Sequence, residues 1–159
     1  MSLLFAVGST TTELSSEQLR DGLQTAFAAL GSRKKVLATP PDFTRFHSRA
    51  GQLTELAYEL LGPALTDVLP ALGTHKPMTD AEIARMFGST PRSLFRVHDW
   101  RNDIVTLGEV PGSVMKDVSE GQLDYTWPAQ VNRLLSEGGH DLILSIGQVV
   151  PHEIGRAHV

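Results

Sequence analysis

The sequence predicts an α/β fold in which helices flank a layered sheet. Short apolar runs with strand-like composition alternate along the chain with segments whose apolar residues recur at helical spacing. Gly and Pro separate most of these segments, as expected for the turns between elements. Strands that alternate with helices are typical of α/β layer folds, and the sequence contains no internal repeat or low-complexity linker.

The individual elements follow from the same patterns. Strand-like composition marks residues 3–7, 36–38, 94–98, 104–107, 113–118 and 142–146. Helical spacing marks residues 15–30, 53–61, 80–86 and 127–135. Thr79 and Glu82 have the spacing of a capping box at the start of the third helix. The apolar run over residues 64–72 is ambiguous between a strand and a helix.

Composition excludes several functional classes. The 159 residues are enough for one domain with a sizeable core, and 18 acidic against 14 basic residues leave no basic surface for nucleic acid. The chain has no cysteine, so it has no disulfide, thiolate metal site or cysteine nucleophile. Its apolar N-terminus is too short for a signal peptide or a membrane span. We therefore expect a cytoplasmic protein that does not bind membranes.

The candidate site residues are Asp42, Arg45, His75 and His152, and each follows a predicted strand or apolar run in a turn with Gly or Pro. If these strands lie in one sheet, the turns meet at one crevice, where α/β proteins bind ligands. Arg presents a planar fork that matches a carboxylate, and His titrates near neutral pH. The set therefore suits acid/base chemistry on a small hydroxy acid.

Three segments carry a resemblance to a known family. They are Pro-Asp-Phe-Thr-Arg at residues 41–45, Gly-Thr-His-Lys-Pro-Met-Thr at 73–79, and Ser-Ile-Gly-Gln-Val-Val-Pro-His-Glu at 145–153. In their order and in the long gaps between them, they resemble the N-terminal domain of the nickel-pincer lactate racemase family. The resemblance extends from the first strand to His152, and it implies the N-terminal domain of a two-domain enzyme.

The resemblance assigns a role to each candidate residue. Arg45 would clamp the carboxylate of a 2-hydroxy acid, and His75 and His152 would be the two acid/base catalysts. Asp42 would lie beside the cofactor, a nickel pyridinium-3,5-bisthiocarboxylate mononucleotide whose ring accepts the α-hydride. The implied function is a 2-hydroxy-acid racemase or epimerase. The substrate side chain and the oligomeric state do not follow from the resemblance.

The resemblance also implies that part of such an enzyme lies outside this chain. The lysine that holds the cofactor covalently, a nickel-binding histidine and the C-terminal domain would all follow residue 159, so we expect no nickel ligand within the chain. Residues 1–152 are therefore interpreted as a truncated catalytic domain that is inactive alone. Residues 153–159 resemble a translated sequencing adapter and are interpreted as a non-native tail.

Other interpretations of these residues stay open at this point. Asp42 and Arg45 would form a simple surface pair if neither has a ligand. A metal-dependent hydrolase built on His75, His98, Asp99 and His152 is a second functional class, and a non-catalytic module that binds small acids is a third. His47 and His140 are predicted to lie on the surface.

Overall fold

The computed structural model describes residues 3–148, which divide into two compact units. The first unit holds the residues up to Val97 and those from His140 onward, and the second is His98–Gly139. The helices of the first unit are α1 (Ser16–Leu30), α2 (Ala50–Leu61) and α3 (Asp80–Phe87), and its strands are β1 (Val36–Thr39), β2 (Leu65–Val68) and β5 (Leu142–Ser145). The second unit has β3 (Ile104–Val110), α4 (Gly112–Val118), β4 (Trp127–Asn132) and α5 (Arg133–Glu137).

The first unit is an α/β fold built on a parallel sheet with flanking helices, as the sequence predicts. Its strand order is β2-β1-β5, and β1 pairs in parallel with both neighbours. In this central strand Val36, Leu37 and Ala38 are all completely buried. A strand buried on both faces needs a continuous apolar run, which explains why β1 does not alternate apolar with polar residues.

The helix boundaries predicted for this unit are confirmed where capping residues define them. Ser15 and Gln18 form a capping box at the start of α1, and the chain turns at Gly31 with φ of 73°. Thr79 and Glu82 form the predicted capping box of α3. Helix α3 buries Ile83, Met86 and Phe87 in the main hydrophobic cluster with β1 and β2.

A buried carboxylate joins the two points where the chain leaves and re-enters the first unit. Asp67 on β2 binds the Arg96 guanidinium at 2.8 Å through Oδ1 and Nε2 of His140 at 2.9 Å through Oδ2. Arg96 lies directly before the last residue of the first segment, and His140 opens the second. We call Asp67, Arg96 and His140 the Asp67 clasp. The His140 side chain is only 1% exposed, so the prediction that it lies on the surface is wrong.

The second unit departs from two predicted elements. Residues 113–118 are not a strand but belong to helix α4, which begins after Pro111, a residue whose fixed φ suits a helix start. Residues 127–135 are not one helix, because β4 pairs antiparallel with β3 and only then gives way to α5. The aromatic and β-branched residues of β4 favour this pairing, and its Pro128 is tolerated because a two-stranded sheet consists of edge strands.

Three further segments with strand-like or ambiguous composition have different outcomes. Residues 3–7 are not a strand, since they have no ladder partner, and the Phe5 ring instead lies against Gly22 of α1. Residues 94–98 contribute only an isolated bridge from Phe95 to Val68. The ambiguous run at 64–72 contains β2, and the predicted strand at 142–146 is confirmed as β5. No helix within residues 3–148 has the length and apolar character needed to cross a membrane.

Candidate functional site

The segments after β1 and β2 stay together beyond the ends of the strands. Ala71 N–H donates to the Pro40 carbonyl at 2.8 Å, and Pro41 and Ala71 form a parallel bridge. These contacts bring the turns that follow the two strands to the same edge of the sheet. The sequence predicts this convergence for Asp42 and His75, and the structure confirms it for both.

Asp42 is buried and uses both of its carboxylate oxygens. Its Oδ1 accepts hydrogen bonds from the Thr44 backbone N–H at 3.0 Å and from the Thr44 hydroxyl at 2.5 Å. Its Oδ2 lies 2.5 Å from Nδ1 of His75. Asp42 is also the N-cap of the 3₁₀ turn Phe43–Ser48, so one side chain both starts that turn and contacts the His75 loop.

These contacts keep Asp42 ionised and thereby define the protonation of the neighbouring ring. Burial raises the pKa of Asp42, but the hydrogen bonds from Thr44 and His75, together with the charge of His75, outweigh burial and lower that pKa below its ordinary value. An ionised carboxylate only accepts hydrogen bonds, so Nδ1 of His75 must carry the proton. In the neutral ring the lone pair then lies on Nε2.

His75 combines a fixed ring nitrogen with an accessible one. Its backbone N–H donates to the Leu72 carbonyl at 2.9 Å, across a turn that contains Gly73 at φ 56°. The side chain is 58% exposed, and within residues 3–148 its Nε2 has no hydrogen-bond partner. This arrangement is that of a general base: Asp42 orients the ring, and Nε2 is available to a ligand.

Arg45 lies on the turn that Asp42 starts. Its backbone N–H donates to the Asp42 carbonyl at 3.0 Å, and its own φ and ψ of −108° and 28° kink the 3₁₀ turn. The side chain is exposed and forms no ion pair with any residue of the described part of the chain. Asp42 and Arg45 therefore do not form the simple pair considered from the sequence, and the guanidinium is available for an external anion.

The remaining sequence-predicted residues have varied outcomes. His152 lies outside the described residues. His98 accepts a hydrogen bond at 2.9 Å from the Asn132 amide, and Asp99 accepts from the backbone N–H groups of Arg101 and Asn102 in its own turn. Asn132 was not predicted from the sequence as a partner of His98. His47 is exposed, as predicted.

Metal ligands were sought among the same residues. Within residues 3–148, no three His, Asp or Glu side chains come together in a way that could hold a metal ion. Nδ1 of His75 is hydrogen-bonded to Asp42, and Nδ1 of His98 is hydrogen-bonded to the Asn132 amide, so in each ring this nitrogen already has a protein partner. The metal-hydrolase interpretation, which also requires His152, stays a prediction.

Comparison with known proteins gives a structural neighbour. No family model and no curated protein matches the sequence. A Thermotoga maritima protein whose crystal structure comes from a structural genomics consortium is similar, with a TM-score of 0.73 and 30% sequence identity. The match covers 82% of this chain and 32% of that chain, so this sequence spans about a third of its neighbour's length. The similarity supports the α/β fold, whereas the resemblance to lactate racemases stays a prediction.

Proposed function

We propose that this chain supplies substrate-handling residues of a racemase or epimerase that acts on a 2-hydroxy acid. The observation that supports the proposal is the bond between Asp42 and His75 next to the turn that presents an unpaired Arg45. A base oriented by a carboxylate, with a guanidinium nearby in the chain, suits a substrate that has both a hydroxyl group and a carboxylate.

Each residue has one task in the proposed reaction. Arg45 binds the substrate carboxylate through its planar fork and orients the α-carbon. Nε2 of His75 removes the hydroxyl proton as the hydroxyl carbon becomes a carbonyl carbon. Asp42 then stabilises the imidazolium through Nδ1, as carboxylates do in catalytic triads. His152, by the family resemblance, performs the same task for the opposite enantiomer.

The proposed reaction also needs a hydride acceptor, and residues 3–148 offer few groups that could hold one. By the resemblance, a nickel-pincer nucleotide supplies hydride acceptance and return. No cluster of metal-ligating side chains exists within the described residues, and both oxygens of Asp42 are occupied by Thr44 and His75. We therefore derive no step through the cofactor. The contact between Asp42 and the cofactor stays a prediction.

Ligand binding tests the proposal on this chain directly. Glycolate, the smallest 2-hydroxy acid, is titrated into labelled protein while the NMR signals of His75 and Arg45 are followed. We expect saturable shifts at both residues and weaker binding of acetate, which lacks the hydroxyl group. Arg45→Ala should abolish binding, whereas Arg20→Ala, which removes an exposed cation paired with Glu59, should not. Equal binding of glycolate and acetate would contradict the role of His75.

Turnover separates the proposal from the two other classes. The full-length Thermotoga maritima protein should interconvert the enantiomers of a 2-hydroxy acid and should contain nickel. Stoichiometric zinc without racemisation would favour a hydrolase. Binding without any turnover in the purified protein with its bound cofactor would favour a module that only binds acids.

A further inference from the structure

A cation stacks on the two aromatic rings that bracket Arg45. The ring centroids of Phe43 and Phe46 are 5.3 Å apart, and the Arg85 guanidinium carbon lies 4.9 Å from the centroid of Phe46 and 5.6 Å from that of Phe43. Both distances are within the range of cation–π attraction. We call these three side chains the Arg85 stack.

The turn that carries Arg45 is anchored at its start, where Asp42 caps it. It is a 3₁₀ segment of six residues with a kink at Arg45, and it ends at Arg49 in the left-handed region with φ of 62°. Phe46 is 40% exposed, so its ring is not held by burial in the core. Phe43 does pack against the core cluster. The Arg85 stack therefore supplies a contact to the exposed end of the turn, where Phe46 lies.

Arg85 also has no competing electrostatic partner. Within residues 3–148 no carboxylate forms an ion pair with it, although the same helix contains Asp80 and Glu82. Asp80 binds Arg92, and Glu82 bonds back to Thr79 at the start of the helix. The Arg85 guanidinium instead contacts the two rings.

The position of Arg85 in the chain connects the two halves of the candidate site. Helix α3 begins at Asp80, five residues after His75, and Arg85 lies in its last turn. The stack thus joins the helix that follows the His75 loop to the turn that carries Arg45. We propose that Arg85 is a positioning residue: it acts through Phe46 to hold the Arg45 turn in the conformation that binds the substrate carboxylate. This inference rests on the proposed function.

The first test measures glycolate affinity by NMR titration in matched variants. Arg85→Ala should raise the dissociation constant about two- to fivefold, the range expected for loss of an exposed cation–π contact. Phe46→Leu should have a similar effect, and the double variant should be no weaker than either single variant, because both residues act through one contact. Arg85→Lys should restore part of the affinity. Arg92→Ala removes a cation that pairs with Asp80 at the start of α3 and should leave affinity unchanged.

The outcomes distinguish positioning from direct binding. If Arg85→Ala weakens glycolate binding while Phe46→Leu does not, Arg85 contacts the anion itself and the inference is wrong. If neither substitution changes the affinity, the inference is wrong and the proposed function stands. Circular dichroism of each variant checks that the fold is retained.

A second measurement tests the inference without any ligand. Amide hydrogen exchange at residues 45–47 should accelerate in Arg85→Ala and Phe46→Leu but not in Arg92→Ala. If wild-type protein does not bind glycolate, the proposed function fails, and this exchange experiment still decides whether the Arg85 stack holds the turn. Unchanged exchange in both variants would overturn the inference.

Discussion

Asp42 and His75 are 33 positions apart in the sequence, yet Oδ2 of the first lies 2.5 Å from Nδ1 of the second. The contact exists because the segments that follow the parallel strands β1 and β2 remain hydrogen-bonded to each other. The backbone N–H of Ala71 donates to the carbonyl of Pro40. The carboxylate is buried while the imidazole is more than half exposed. The fold thus buries the carboxylate that fixes the ring and leaves Nε2 of His75 accessible to solvent.

The tautomer of His75 should depend on Asp42. In the wild-type protein the carboxylate can only accept a hydrogen bond, so the neutral ring should carry its proton on Nδ1. In Asp42→Asn the amide can instead donate to Nδ1, which would place the proton on Nε2. Nitrogen-15 chemical shifts of the His75 ring measure this directly. His47, which is exposed, provides the control in the same spectrum.

The hydroxyl of Thr44 should help to keep Asp42 ionised. Thr44→Val removes one hydrogen bond to Oδ1 and leaves the backbone N–H bond in place, so the pKa of Asp42 should rise. A carbon-13 titration of the Asp42 carboxyl group measures the change. Thr66→Val, which removes the corresponding hydroxyl contact from Asp67, should leave the titration of Asp42 unchanged. An Asp42 titration identical to that of wild type would contradict the prediction.

The Asp67 clasp should make stability depend on pH in the acid range. Burial raises the pKa of Asp67, but hydrogen bonds from His140 and Thr66 and the charge of Arg96 lower it below its ordinary value. A carboxylate with a lowered folded-state pKa contributes stability above its unfolded pKa of about 4, and that contribution disappears as pH falls through the folded-state pKa.

Urea unfolding of wild type and Asp67→Asn measures this contribution. At pH 7 the substitution should cost about 1.5–3 kcal/mol, the typical worth of a hydrogen bond to a charged group. The difference between the two proteins should shrink below pH 4. Asp124→Asn, which removes a carboxylate whose ion pair with Lys116 is exposed, should cost much less. A difference that is constant from pH 7 to pH 2 would refute the role of ionised Asp67.

Two glycines in helices should respond oppositely to substitution by alanine. A Cβ on Gly51 of α2 would lie 2.0 Å from the backbone oxygen of Met86, so Gly51→Ala should force α2 away from α3 at a cost of about 1–3 kcal/mol. The atoms nearest to a Cβ on Gly22 of α1 would be those of the Phe5 ring, and Phe5 is 44% exposed and can rotate away. Gly22→Ala should therefore be neutral or stabilising by up to about 1 kcal/mol. Thermal unfolding of the two variants tests this contrast.

Local signals predicted the parts of the fold that local interactions determine. The capping box of Thr79 and Glu82 lies within four residues and forms as predicted, and the helix predicted to open at Ser15 also begins with a capping box. Residues 113–118 have the β-branched content of a strand, but no neighbouring strand pairs with them, and Pro111 starts a helix instead. Trp127 begins a strand because β3 pairs with it and the residues that follow. That pairing partner lies elsewhere in the chain, so the local sequence around Trp127 does not reveal it.

The candidate site shows the same division. The sequence placed Asp42 after a predicted strand and His75 after an ambiguous apolar run, but their hydrogen bond depends on a register that only the folded sheet defines. His140 looks like a surface residue because polar residues surround it in sequence. Its burial results from Asp67, 73 positions earlier, which provides the partner that makes an interior imidazole tolerable.

The Asp67 clasp has a consequence for biosynthesis. In the described sheet, β5 is the strand that pairs with one edge of β1. It emerges from the ribosome only after the whole second unit, His98–Gly139, has been synthesised. Until then one edge of β1, a strand that is apolar except for Thr39, is not covered by β5, and unpaired apolar strand edges are the kind of surface that chaperones recognise. The hydrogen bond between His140 and Asp67 would form as this exposure of β1 ends. Leu142 lies two residues after His140 and pairs with Val36 in the ladder between β1 and β5.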